Sequence, residues 1–378
     1  YNDLSPYRIN ETYSKHFAFP YGSVNGFVLS GTAVDADIKK EKLNTTEFGA
    51  NLGLFQSRIM IDASYFLTKT TDLITFTTPS VASGSTSFLT NIGSLKGSGW
   101  ELSLGGSIIK AKDLTWDVSV NYSTMTTIVE EIYEGLDEVA VNTGTGWGIY
   151  AIVDMPYPQV KANTYVRDPQ DRIVIDPATG YPLTNTALEP LGRTTPKHII
   201  GLNTALKAFG FALSTTIDYR TGHLFYAEGQ DAMEFVGRSM ASVSANRQDF
   251  VIPNSVIKTG DNTYVPNTNI PIQNGRQSYW TDTYNDVKEN YVVDATAFKI
   301  RELSLTYTLP STVLKSTPLQ KVSVGFIARN LYTLLPAENA FSDPEFNNAT
   351  DNNNAIGVGG YFQMPPTRSF GVNLNIEF

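Results

Sequence analysis

The chain has 378 residues, a net charge of −9 and no cysteine. Disulfides, thiol catalysis and thiolate metal sites are therefore excluded, and the acidic balance argues against a nucleic-acid partner. Only 17% of residues are charged while 12% are aromatic, which is poor in charge and rich in rings for a soluble protein of this length. No apolar run approaches the roughly 18 residues of a membrane helix. A membrane form of this chain must then be a closed β-barrel, because only helices and barrels satisfy their backbone polar groups in lipid. The opening YNDLSPYRIN has no basic region, apolar core or cleavage site, so it is not a signal peptide.

Residues 1–44 carry Tyr7, Tyr13, Phe17, Phe19, Tyr21 and Phe27 but no sustained alternation. From Thr45 the pattern changes to period two, in which successive side chains face opposite sides of a strand. Phe48, Ala50, Leu52 and Leu54 alternate with Glu47, Gly49, Asn51 and Gly53. Ile59, Ile61, Ala63, Tyr65 and Leu67 follow, opposite Arg58, Asp62 and Ser64, which predicts a hairpin. A second hairpin joins Trp100, Leu102 and Leu104 to Trp116, Val118, Val120 and Tyr122 across Ala111–Asp113. A third pairs 198–206 with 211–220, and a fourth pairs 298–309 with 321–331. The final strand, TRSFGVNLNIEF, places Phe370, Val372, Leu374, Ile376 and Phe378 on one face. That makes nine predicted strands.

Connections within hairpins are short, whereas those between hairpins (about 71–97, 132–197, 221–297 and 333–366) are long. Soluble sheets seldom carry structureless loops beyond about 15 residues. Bacterial outer-membrane barrels have short periplasmic turns and long extracellular loops. The fold class expected is therefore an all-β antiparallel transmembrane barrel in the bacterial outer membrane. On that reading Phe378 lies at the periplasmic rim, residues 1–44 form an extracellular loop, and 45–378 supply strands and loops. Nine is an odd number and complete bacterial barrels have even ones, so this stretch is expected to be the C-terminal part of a larger barrel.

Candidate site residues lie in the long loops. Trp147 and Tyr150 stand in Gly144–Tyr150, and Tyr279, Trp280 and Tyr284 sit among amides and carboxylates in residues 277–286. Such sequences suit stacking plus hydrogen bonding to a sugar or peptide, and equally suit ordinary packing of a long loop. The N-terminal rings suit a ligand platform, an interfacial belt or self-packing of a long loop. Asp62, Asp117, Asp218, Arg58, Arg220, Arg301 and Arg329 fall near the inward phase of their strands, with Arg329 the most plausible of them as a functional contact. Asp351–Asn354 offers oxygens without the spacing of a calcium loop, and His16, His198 and His223 are scattered with no nucleophile–base pattern. Neither a metal, a cofactor nor an enzymatic activity is expected. Three Asn-x-Ser/Thr matches, at Asn10, Asn44 and Asn348, are taken as accidental.

Several short motifs resemble a known family. Asn91-Ile92-Gly93-Ser94-Leu95 followed by Gly99-Trp100-Glu101-Leu102, then Phe298–Pro310 (FKIRELSLTYTLP), Ala328-Arg329-Asn330-Leu331, Ser342-Asp343-Pro344-Glu345 and Pro365-Pro366-Thr367-Arg368-Ser369-Phe370-Gly371 resemble elements of SusC/RagA-like TonB-dependent outer-membrane transporters, in the family's order. The resemblance implies a 22-strand barrel with an N-terminal plug, a SusD-like surface lipoprotein as lid, and uptake of an oligosaccharide or peptide driven through TonB. It implies that plug and upstream strands lie outside this sequence, and that Phe378 is the C-terminal aromatic recognised in barrel assembly. A passive porin, or a structural barrel scaffold in a larger outer-membrane machine, is the alternative.

Overall fold

A computed structural model of the chain describes residues 9–378 apart from 11, 30, 78–79, 133–134, 340, 347–355, 361–363 and 365. The wall of the molecule is a nine-stranded sheet. Its strands are β1 (Lys42–Leu54), β2 (Ile59–Thr71), β3 (Gly93–Lys110), β4 (Leu114–Ile132), β5 (His198–Ala208), β6 (Phe211–Thr221), β7 (Ala297–Thr308), β8 (Lys321–Leu334) and β9 (Ser369–Glu377). Each strand pairs antiparallel with its neighbours in sequence, so the sheet order is the chain order. All nine predicted strands are present with the predicted partners. β3 and β4 run longer than the alternation suggested, because small and polar residues such as Gly97, Thr126 and Thr127 continue the ladder beyond the apolar stretch.

Register puts like faces together. Leu52, Ile61, Leu104, Val120, Leu202 and Ile217 form one continuous apolar row across six strands. Asn51, Asp62, Ser103, Asn121, Gly201 and Asp218 form the adjacent polar row. A one-residue slip would exchange the two faces, so this alternation itself pins the register. On the polar face, Asn51 donates to Asp62 at 3.0 Å, Ser103 to Asn121 at 2.8 Å and Thr216 to Asn203 at 2.9 Å. The apolar face keeps Leu102, Leu104, Leu213, Leu305, Phe326 and Leu374 exposed. Its rings gather at two levels. Phe48, Tyr65 and Trp100 share one row, while Phe55, Phe209, Phe211 and Tyr307 lie at or beside the short turns. On the polar face Gly99 is paired with Phe66, where a Cβ would stand 2.5 Å from the Phe66 ring and 2.3 Å from the Thr124 carbonyl oxygen.

The long connections are not structureless. Residues Glu138–Gly144, Trp147–Ile152, Gln159–Tyr165 and Thr184–Arg193 make a four-stranded sheet. Leu224–Tyr226 pairs with Val292–Asp294, and a helix follows at Glu228–Phe235. Among the described residues most of the large, fully buried side chains, including Tyr226, Tyr291, Ile149 and Val160, lie in the connections, with Val129 of β4 an exception in the wall. The physical reason is that a wall of one sheet can bury at most one face, and here the outer face stays bare.

Most rings of the N-terminal segment do not pack on one another. Tyr13–Lys15 and Phe27–Leu29 form a hairpin, and Tyr13, Phe17, Tyr21 and Phe27 stand exposed from it. Among the described residues of this segment, His16 packs with neighbouring rings, at 4.6 Å from Phe17 and 5.7 Å from Phe19. Thr32–Val34 then joins Ser87–Asn91 in parallel, so this segment shares a small sheet with the connection between β2 and β3. Tyr7, Asn348 and the Asp351–Asn354 run lie outside the described residues.

Candidate functional site

The polar face of β6 and β7 carries the densest charge cluster among the described residues. A β-bulge at Ile300–Glu302 shifts the phase of β7, so that Lys299 and Glu302 both reach the polar side. Lys299 Nζ lies 2.6 Å from both carboxylate oxygens of Asp343 and 2.8 Å from Glu345. Arg301 grips Glu345 with two nitrogens at 2.6 and 2.7 Å and also binds Asp218. Arg220 donates to Asp218 at 3.1 Å and stands 3.6 Å from Glu345. Three cations thus meet three carboxylates. The Lys299–Asp343 pair is buried on both sides, while Glu345 is 29% exposed. These contacts hold the Glu345 carboxyl down, to about 2, against the opposing effect of burial. A cavity of about 60 Å³ adjoins the cluster, lined by Thr194, Arg220, His223, Pro344 and Ile356.

Asp218, Arg220 and Arg301 were flagged by strand phase, and the structure brings them together. Lys299 has the same odd phase as Arg301 and Leu303, and the bulge turns both Lys299 and Arg301 to the polar side. Asp62 and Asp117 serve the polar ladder, Asp117 accepting from Ser107 at 2.5 Å. Arg58 donates to the carbonyls of Ser107 and Ile108. Arg329 is outside the cluster, exposed and paired with Glu302 at 3.1 Å.

The aromatic candidates need correction. Trp147 is buried and stacks on Tyr226 with centroids 4.2 Å apart. Tyr279 and Trp280 are buried beside Ile175, Ile252 and Ile272, and Trp280 Nε1 donates to the Gly275 carbonyl at 2.9 Å. They pack the loop core and offer no open stacking surface. Tyr284 is partly buried against both cores. Tyr150 is partly exposed, with Lys161 over its ring at 4.8 Å. Phe378 follows β9 and is exposed.

Beneath Tyr226 lies a second polar network. Asp231 accepts from Tyr226 at 2.6 Å, Lys288 at 2.9 Å and Asn285 at 2.5 Å. Glu234, one turn along the same helix, is buried, and one of its oxygens has no partner. Burial pushes its carboxyl up to about 7, with Asp231 adding to the rise and bonds to Tyr291 and Gln230 opposing it. In the unfolded chain the group ionises near its ordinary 4.5. Folding therefore favours the protonated form, and that stability is full below 4.5 and lost as pH rises through 7. The loop assembly is expected to lose up to about 3 kcal/mol between pH 4.5 and 8, at roughly 1.4 kcal/mol per unit. Glu234→Gln should flatten that slope in pH-resolved urea unfolding, and an unchanged slope would reject the assignment.

A sheet with one bare apolar face, one polar face and folded connections at a single end is a section of an outer-membrane β-barrel. The chain belongs to the TonB-dependent receptor family, since the family profile described as "TonB dependent receptor-like, beta-barrel" matches residues 7–331. It is 25% identical over 406 residues to TonB-dependent receptor P3 of Formosa agariphila, covering 99% of this chain and 38% of that protein. Over 119 residues it is 31% identical to TonB-dependent receptor SusC of Bacteroides thetaiotaomicron, covering 31% of this chain and 12% of SusC. Among solved structures, the RagAB peptide importer in its open-open state superposes with a TM-score of 0.68 at 19% identity, over the whole of this chain and 39% of that one. The chain thus spans well under half the length of these relatives. It is a portion of a TonB-dependent receptor β-barrel of the bacterial outer membrane, and in such a barrel the polar face lines the lumen.

The two faces should respond oppositely to charge. Leu104→Arg, on the lipid side, is expected to cost about 2–4 kcal/mol, whereas Ser103→Arg on the lumenal side costs little. Folding of the full-length variants into lipid vesicles measures both, and equal costs would contradict the facing.

Proposed function

We propose that the protein of which this chain is part imports an oligosaccharide or peptide across the outer membrane, energised through TonB and working with a SusD-like surface lipoprotein. The observation that carries this reading is the family match over a wall whose polar face bears a folded loop assembly. RagAB, a peptide importer by description, has the same fold over this whole stretch, which supports a peptide among the candidate solutes. On this reading the long connections and residues 1–44 are extracellular, the short turns are periplasmic, and Phe378 serves barrel assembly. Arg329 and Tyr150, both accessible, are the remaining candidates for solute or lid contact.

The test is uptake of labelled peptides and oligosaccharides by cells carrying the full-length protein, with and without TonB. Accumulation that needs both the protein and TonB is expected. Equal uptake without TonB would instead indicate a passive pore.

A further inference from the structure

Among the described residues, two short segments of the connection between β8 and β9, 342–346 and 356–359, contact the wall and the loop core. The first supplies Asp343 and Glu345 to the lumenal ion cluster. The second adds a rung beside Tyr226, which donates to the Gly357 carbonyl at 2.8 Å and accepts from Gly359 N–H at 2.8 Å. Thr194 Oγ1 donates to the Ile356 carbonyl at 2.6 Å, and Val358 enters the core around Tyr226. The two segments also meet each other: a Cβ on Gly359 would stand 3.5 Å from that of Ser342. Pro344, Glu345 and Ile356 line the same cavity.

We propose that Asp343 and Glu345 are positioning residues that clamp this connection to the lumenal wall and, through it, hold the loop core in place over the lumen. The purpose of the clamp rests on the import reading, while the clamp itself does not. The work divides between the two carboxylates. Asp343 gives both oxygens to one buried lysine and fixes the segment at its root. Glu345 is partly exposed and gathers Arg301, Lys299 and Arg220 around it. Neutralising both carboxylates leaves the wall with three cations against Asp218 alone, so the segment loses its attraction and the wall cations repel one another. The anchoring at 356–359 would then remain alone: the Tyr226 rung, the Gly229–Gly359 and Thr194–Ile356 bonds, and Val358 in the core.

Hydrogen exchange on the full-length protein tests this. In Asp343→Asn/Glu345→Gln, exchange at the Tyr226 and Gly359 amides is expected to rise about tenfold or more, with the β8–β9 amides unchanged. Glu345→Asp, which keeps the charge, should remain within about twofold of the wild type. Unchanged protection at Tyr226 and Gly359 in the double variant would overturn the clamp, as would loss of protection spread evenly through the wall. If the double variant does not assemble, Glu345→Gln alone is expected to raise exchange about threefold, and no rise overturns the proposal. None of these readings uses uptake, so a protein that imports nothing can still show the clamp, and an importer can still lack it.

Discussion

Lys299→Met is expected to destabilise the protein by about 3–5 kcal/mol, because it strands the buried Asp343 carboxylate, which the fold cannot release to water, while Glu345 keeps Arg301. Asp343 is almost wholly buried and receives both of its short bonds from this one ammonium. The loss comes mainly from the uncompensated charge left behind, so removing Asp343 as well should recover much of it. Lys299→Met/Asp343→Leu is therefore expected to be more stable than Lys299→Met alone. The exposed Lys321–Glu377 pair provides the contrast. Lys321→Met should cost under about 1 kcal/mol. Urea unfolding of the full-length variants in detergent measures all three, and a Lys299→Met penalty no larger than that of Lys321→Met would refute the argument.

Tyr226→Ala should cost about 3–5 kcal/mol, the usual range for deleting a fully buried ring. Tyr226 is 0% exposed, stacks on Trp147, meets Tyr291 edge-on at 6.3 Å and hydrogen-bonds Asp231. Two separate connections, the one carrying Trp147 and the one carrying both Tyr226 and Tyr291, are joined through this one ring. The expected result is early unfolding of the loop assembly with the wall intact. Tyr226→Phe is milder, about 1–2 kcal/mol, since Asp231 keeps Lys288 and Asn285. Trp147 fluorescence during denaturation reports the loop transition, and a Tyr226→Ala variant melting with the wild type would show that the stack is incidental.

The wall was legible in the sequence because its determinant is local. An alternation such as Trp116-Asp117-Val118-Ser119-Val120 names the strand, its faces and its register at once. The loop assembly was not, because its core is made by distant residues that carry no period. Trp147 finds Tyr226, and Leu224–Tyr226 is a three-residue strand that pairs with Val292–Asp294. Rings set among polar residues read equally well as a binding surface or as packing, and for Trp147, Tyr279 and Trp280 the answer is packing. The ion cluster was half legible. Asp218 and Arg220 have the inward phase, but a bulge brings Arg301 and Lys299 across together, and nothing local ties Asp343 and Glu345 to a strand some 40 residues earlier.

The placing of the chain's four tryptophans gives this division of the molecule an optical form. Trp100 and Trp116 stand on the apolar outer face, while Trp147 and Trp280 lie within the loop core. One pair therefore sits in hydrocarbon and the other in a protein interior held by water-driven burial. A quencher dissolved in the acyl chains would dim the first pair and spare the second. A denaturant that strips the hydrophobic effect but leaves the bilayer intact would do the reverse. The two halves of this fold answer to different solvents, and each carries its own reporter.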